Sequence, residues 1–190
     1  MPRTRDGIPA SSGIVIGPAV VLRMETPAVP HGGIVPESKT EAEVERFVAA
    51  VEAAKEQIRQ LQERTRESLG PVEAQIFEPQ LLMLEDADLV GSTISYIREN
   101  HLTAERAFEW RVLEWDAQWS HTAHPMVLDK LNDLADVQSR VLRHLMGLPG
   151  QQLADLEGYD RVIVVAREVT PSVAAQLDVS RVVGMATDTG

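Results

Sequence analysis

The chain has 190 residues, of which 44% are hydrophobic and 25% charged, enough for one large domain or two small ones with a real core. It contains no cysteine, which excludes a disulfide framework, a thiolate metal site and a thiol nucleophile. Its net charge of −11 falls mostly between residues 36 and 147, where 12 Lys/Arg face 21 Asp/Glu; such a field disfavours nucleic-acid phosphates and anionic lipid and would steer a basic protein partner.

The opening "MPRTRDGIPASSG" has no apolar run of signal-peptide length, and no stretch approaches the roughly 20 apolar residues that span a bilayer, so a soluble cytoplasmic protein is expected. Residues 7–23, "GIPASSGIVIGPAVVLR", hold two β-branched clusters separated by Gly17-Pro18 and read as two short strands joined by a turn. Residues 24–36 are rich in Pro and Gly and read as a linker.

Residues 38–147 read as helical almost throughout. Ser38-x-x-Glu41 and Thr40-x-x-Glu43 are overlapping capping boxes. Val44, Phe47, Val51, Ala54, Ile58 and Leu61 then recur at alternating three- and four-residue steps, one stripe along a helix running to Ser68. Gly70 ends it and Pro71 fits the first turn of the next helix, in which Pro79 predicts a kink or break. Thr103 caps a third helix whose apolar face holds Phe108, Val112, Trp115 and Trp119, with Trp110 off the stripe and exposed. Pro125 opens a fourth, with Leu128, Leu131, Leu134, Val141, Leu142 and Leu145 as its stripe and Gly147 as its stop.

Strand character returns over residues 158–190. "RVIVVA" is a short buried strand, "TPSVAAQL" a short helix with Thr170 as cap and Pro171 in its first turn, and "RVVGMA" the next strand. Strand, helix, strand is a parallel βαβ step. The helical zone therefore reads as an insertion between strands of one α/β unit.

Local chemistry is sparse. There is no phosphate-binding Gly-rich loop, no nucleophile elbow and no HExxH. His121 and His124 share a helix face and could bind a metal with a carboxylate such as Asp116, although such a pair near a helix end is more often solvated. Glu85-Asp86-Ala87-Asp88 lacks the Gly and terminal Glu of an EF-hand loop and reads as a helix junction.

Four segments in order resemble enzyme I of the phosphoenolpyruvate-dependent sugar phosphotransferase system: "GIPASSGIVIGPAVVL", "EAQIFEPQLLMLEDADL", "TAERAFE" and "VIVVAREVTPSVAAQLDVSRVVGMATDTG". The resemblance implies an α+β fold, a helical hairpin bundle inserted into an incomplete phosphohistidine (swivelling) α/β domain. Its expected divisions are residues 1–36 (first strands and linker), 37–148 (the inserted bundle, which binds the phosphocarrier HPr) and 149–190 (return to the α/β domain). In that family the final T-D-x-G is followed by G-x-T-S-H, whose His carries the phosphoryl group. This chain stops at Gly190, so it reads as an N-terminal fragment, inactive by itself, of a phosphotransferase that relays phosphoryl from phosphoenolpyruvate to its own His and then to a His on HPr. No cofactor is expected in the fragment; magnesium, and homodimerisation, would belong to the parent's C-terminal part.

The resemblance also implies site residues. Thr170 would orient the active-site imidazole, unless it is a plain helix cap. The carrier surface would lie on the second helix, with Met83 and Leu89 as apolar anchors amid Glu73, Asp86 and Asp88, and Gln75 and Gln80 on the rim. The family often has His where Gln80 stands, and an Arg near the position of Asp133 and Leu134; both departures bear on partner choice. The competing expectations are a non-enzymatic helical adaptor, a phosphohistidine domain of a related synthase or dikinase, and the nitrogen-regulatory or dihydroxyacetone branches of the same system.

Overall fold

The computed structural model describes residues 6–22, 25–121, 125–148, 156 and 158–188. Strand β1 (Ala19–Leu22) is followed by helices α1 (Thr40–Ser68), α2 (Glu78–Glu85), α3 (Ala87–Asn100), α4 (Ala104–Ser120) and α5 (Pro125–Leu145). Strand β2 (Val162–Ala166), the short helix α6 (Pro171–Ala174) and strand β3 (Val182–Thr187) complete the order. The three strands form one parallel sheet in the order β1-β2-β3, with Ala19 opposite Ile163 and Leu22 opposite Ala166. A strand before the bundle in sequence thus pairs with one after it. The fold is α+β, a helical bundle beside a small parallel sheet.

The α1 stripe performs as its spacing predicts. Val44, Phe47, Val51, Ala54, Ile58 and Leu61 are all buried, and they join Phe108, Val112, Leu134, Val141 and Leu142 in a single core. Phe47 and Phe108 meet with ring centroids 5.5 Å apart. Trp115 is buried, Trp119 packs partly against the core, and Trp110 is 45% exposed. Leu131 is half-buried, and the side chain of Leu128 lies outside the described residues. Gly147 adopts a φ of 62°, the left-handed conformation that ends α5.

Several local expectations are corrected. Of the described residues 7–22, only Ala19–Leu22 form a strand; Ile14 and Ile16 are 94% and 87% exposed. Pro18 has no N–H to continue a ladder upstream, although its carbonyl still accepts from Ile163 at 2.8 Å. The capping boxes at the start of α1 do not form: Lys39 occupies the cap position without a side-chain bond. Thr40 instead meets His101, and Glu43 accepts the Ala104 amide at 2.9 Å, capping α4 from across the bundle. The second helical stretch does not kink at Pro79. Residues Glu73–Phe77 form a 3₁₀ turn, and Pro79 falls in the first turn of α2, where its missing donor costs nothing. The break comes at Asp86, whose extended backbone ends α2 and whose carboxylate accepts from the amides of Asp88 and Leu89 to start α3.

The linker is pinned to the bundle. Val35 N donates to the His101 carbonyl at 2.7 Å and Thr103 N to the Gly33 carbonyl at 2.8 Å. Gly33 has a φ of 72°, and a Cβ there would lie 2.9 Å from Cβ of Arg106, so both conformation and space demand glycine.

Candidate functional site

Open parallel sheets place ligands outside the carboxyl ends of their strands. Here those ends are Leu22, Ala166 and Thr187, and a cleft of about 650 Å³ lies against the first two, with Asp188 just past the third, walled by Asn132, Ala135, Asp136 and Ser139 of α5. Thr170 lines this cleft. It has the extended backbone of an N-cap, and its carbonyl accepts from Val173 and Ala174, yet its side chain makes no capping bond. Its Oγ1 is buried with no hydrogen-bond partner. Leaving a buried hydroxyl unpaired costs about 1–3 kcal/mol, so such an atom calls for a partner. Thr170 thus holds the cap position of α6 through its backbone, while its side chain takes no part in the cap.

The turn bearing Thr170 is tied to the bundle by buried polar groups. Ser172 Oγ donates to Asp136 Oδ2 at 2.8 Å and approaches Gln80 Oε1 at 3.4 Å. Gln80 Nε2 donates to Asp133 Oδ1 at 3.1 Å, and Arg140 Nη2 to Asp136 Oδ2 at 3.1 Å. Gln80 and Ser172 are completely buried. Each of these side chains has at least one partner, which fixes α6 on α2 and α5, and Arg140 Nε alone among their buried donors is left unpaired.

The expected carrier surface is rearranged. Gln80 is not a rim residue, because it serves this buried network. Met83 and Leu89 are not surface anchors: both belong to the bundle core, and Leu89 is fully buried. Glu73 and Gln75 are exposed. Asp86 and Asp88 are also exposed, but each has structural work. Asp86 caps α3. Asp88 receives a very short bond from Arg111 and a 3.2 Å bond from the indole of Trp115. The Trp115 bond, with Arg111's charge behind it, holds the Asp88 carboxyl below the usual range.

The apolar groups that do face solvent on this stretch are Val72, Ile76 and Leu82, the last 66% exposed. Glu73, Glu78 and Glu85 are exposed beside them in sequence. The signal for Leu82 was present in "LLML", since four consecutive apolar residues cannot all face one core. His124 lies outside the described residues, as does Gly190. His121 is exposed, and among the described residues no group of three or more His, Asp or Glu could hold a metal ion. Nor is any helix among them long and apolar enough to cross a membrane.

Comparison with known proteins agrees with this architecture. The family model for PEP-utilising enzyme, N-terminal, matches residues 6–126. The chain belongs to the PEP-utilising enzyme family. It is 33% identical over 184 residues to the phosphoenolpyruvate-protein phosphotransferase of Haemophilus influenzae, covering 97% of this chain and 32% of that protein. The corresponding protein of Geobacillus stearothermophilus is 34% identical over 192 residues, covering 99% and 32%. The chain thus spans about a third of the length of these relatives. Among solved structures, the NMR structure of Enzyme I (nEIt) superposes with a TM-score of 0.73 at 29% identity, covering 92% of this chain and 69% of that one. The N-terminal domain of Enzyme 1 - Nitrogen shares the fold, with a TM-score of 0.62 at 21% identity.

Proposed function

We propose that this chain is the carrier-docking and imidazole-orienting part of a phosphoenolpyruvate–protein phosphotransferase. The carrying observation is Thr170, whose buried and unpartnered Oγ1 lines the cleft at the carboxyl ends of the sheet. A threonine hydroxyl there can accept from one imidazole nitrogen and so leave the other unprotonated, the form that attacks phosphorus. In the complete protein that imidazole nitrogen would take the phosphoryl group as the P–O bond to enolpyruvate breaks. A His on the carrier would then attack the same phosphorus and release the first imidazole. Phosphoenolpyruvate and magnesium would be held by the parent's C-terminal part, which would also pair two copies in the cytoplasm.

The carrier is HPr, and its landing site is the outward face of the 3₁₀ turn and α2. Val72, Ile76 and Leu82 would supply apolar contact, and Glu73, Gln75, Glu78 and Glu85 a polar, mostly acidic rim for a basic partner. Rim charges chiefly raise the association rate and make it salt-sensitive.

Two measurements test this reading. In the complete protein, Thr170→Val should slow phosphoryl transfer to the carrier, whereas Thr170→Ser, which keeps the hydroxyl, should restore much of it. Equal rates for both variants and the parent would remove Thr170 from the mechanism. Titration of isotopically labelled HPr into this chain should show binding that weakens as salt rises and weakens further in Leu82→Ser. Absence of binding at low and high salt alike would leave the adaptor reading.

A further inference from the structure

A second cavity, which shares Asp136 and Ser139 with the cleft, is lined by residues of α1, α5 and the segment after α6. Its volume is about 60 Å³. That exceeds the roughly 15 Å³ a single water needs and leaves room for a small polyatomic ion. Its lining is unlike the rest of the surface. Arg140, Arg143 and His144 stand at i, i+3 and i+4 on one face of α5, in a chain whose net charge is −11. Gln57 of α1 and Gln176 face the same space.

Arg140 is the most deeply buried cation of this lining. Its side chain is 7% exposed, and one contact to Asp136 Oδ2 at 3.1 Å serves its Nη2. That carboxylate oxygen also accepts from Ser172. The Nε of Arg140 is buried with no hydrogen-bond partner. A guanidinium carries five donors in a planar fork that fits two oxygens of one oxyanion. Asp136 lines the cavity too, but its carboxylate is already engaged by Ser172 and Arg140. The imidazole of His144 is held below its ordinary pKa, by burial first and by the charge of Arg140 second.

We propose that this cavity binds a small tetrahedral oxyanion, a phosphate or sulfate group, held by Arg140 and Arg143 with Gln57, His144 and Gln176 around it. The inference stands apart from the phosphotransfer reading, because it uses neither Thr170 nor the docking face.

The test is a titration of the chain followed by amide NMR, with inorganic phosphate, sulfate, acetate and, at matched ionic strength, sodium chloride. Phosphate and sulfate should give saturable shifts confined to residues 57, 139–144 and 172–176, with acetate at least tenfold weaker. Arg143→Gln should weaken phosphate at least tenfold. Gln57→Glu, which adds a negative charge from α1 without touching the arginines, should do the same and serves if Arg143→Gln does not fold. Shifts identical to those of chloride, shifts spread over the surface, or a phosphate affinity unchanged in Gln57→Glu would each overturn the site. Acetate binding as tightly as phosphate would overturn its tetrahedral selectivity.

Discussion

The bundle and the sheet are built to different standards of closure. The bundle buries aromatic and aliphatic groups from α1, α2, α3, α4 and α5 in one cluster, with Phe47, Ile58, Leu89, Ile97 and Phe108 fully hidden. Among the described residues the sheet's buried cluster holds Leu22, Leu156, Val162, Val164, Ala166 and Val173, while Val21 and Met185 of the flanking strands are more than half exposed. Parallel sheets are normally covered on both faces. The difference teaches that the bundle holds its shape by its own core, whereas the sheet is held largely by its ladder and by α6, which is anchored through Ser172 and Asp136. The part that would dock a partner is the rigid one, and the part that carries Thr170 is the one whose stability is borrowed.

The largest expected effect tests the bundle. Phe108→Ala should cost about 3–5 kcal/mol and move the whole unfolding transition, as followed by helical circular dichroism in urea. Val164→Ala, in the middle of the sheet, should cost about 0.5–3 kcal/mol, and hydrogen exchange should quicken in β1, β2 and β3 while α1 and α4 stay protected. If α1 and α4 lose protection equally, the two regions are one cooperative unit and the contrast is wrong.

Loss of the α3 cap should be smaller. Asp86→Ala removes the acceptor for two amides at the α2–α3 junction and should cost about 1 kcal/mol, read from the urea midpoint at constant slope. Asp86→Asn should recover most of it.

Acid should act through Asp88. Its folded carboxyl titrates below the unfolded value of about 3.9. A depressed carboxyl contributes stability that is complete above the unfolded pKa and is lost as pH falls through the folded one. The fluorescence of Trp115, which donates to Asp88, should therefore change on the acid side of that range before the helices melt, and Asp88→Asn should abolish this early step. The least effect on stability is expected for Leu82→Ser and for Glu78→Lys with Glu85→Lys, within about 0.5 kcal/mol, because these side chains are exposed. Their effect should appear in carrier binding alone, the charge changes chiefly in its on-rate and salt dependence.

Spacing was sufficient where a helix has one apolar stripe and one neighbour to bury it. The α1 stripe, the Thr103 cap and the return of strand character after the bundle follow from residue order, because 3.6- and 2-residue periods and cap chemistry are local. The candidate site was legible in part. Thr170 stands out in the "TPS" turn, but the burial of its unpartnered hydroxyl is a property of the packed structure. On the stretch where the sequence suggests a carrier face, Gln80, Met83 and Leu89 turn inward and Leu82 turns outward. Residues Glu73–Phe77 are wound as a 3₁₀ turn, at about 120° per residue against about 100° in an α-helix, so five such residues rotate everything after them by about 100°. That rotation, with the break at Asp86, turns Met83 and Gln80 inward and Leu82 outward. Glu43 was read as closing its own helix and caps α4 instead, since a carboxylate goes to whichever amide the packed bundle leaves open. Sequence by itself thus determined the order of the helical and strand zones and the insertion of helices between paired strands. Tertiary structure decided which face of each element is spent on the core, because that choice depends on helix phase and on partners far apart in the chain.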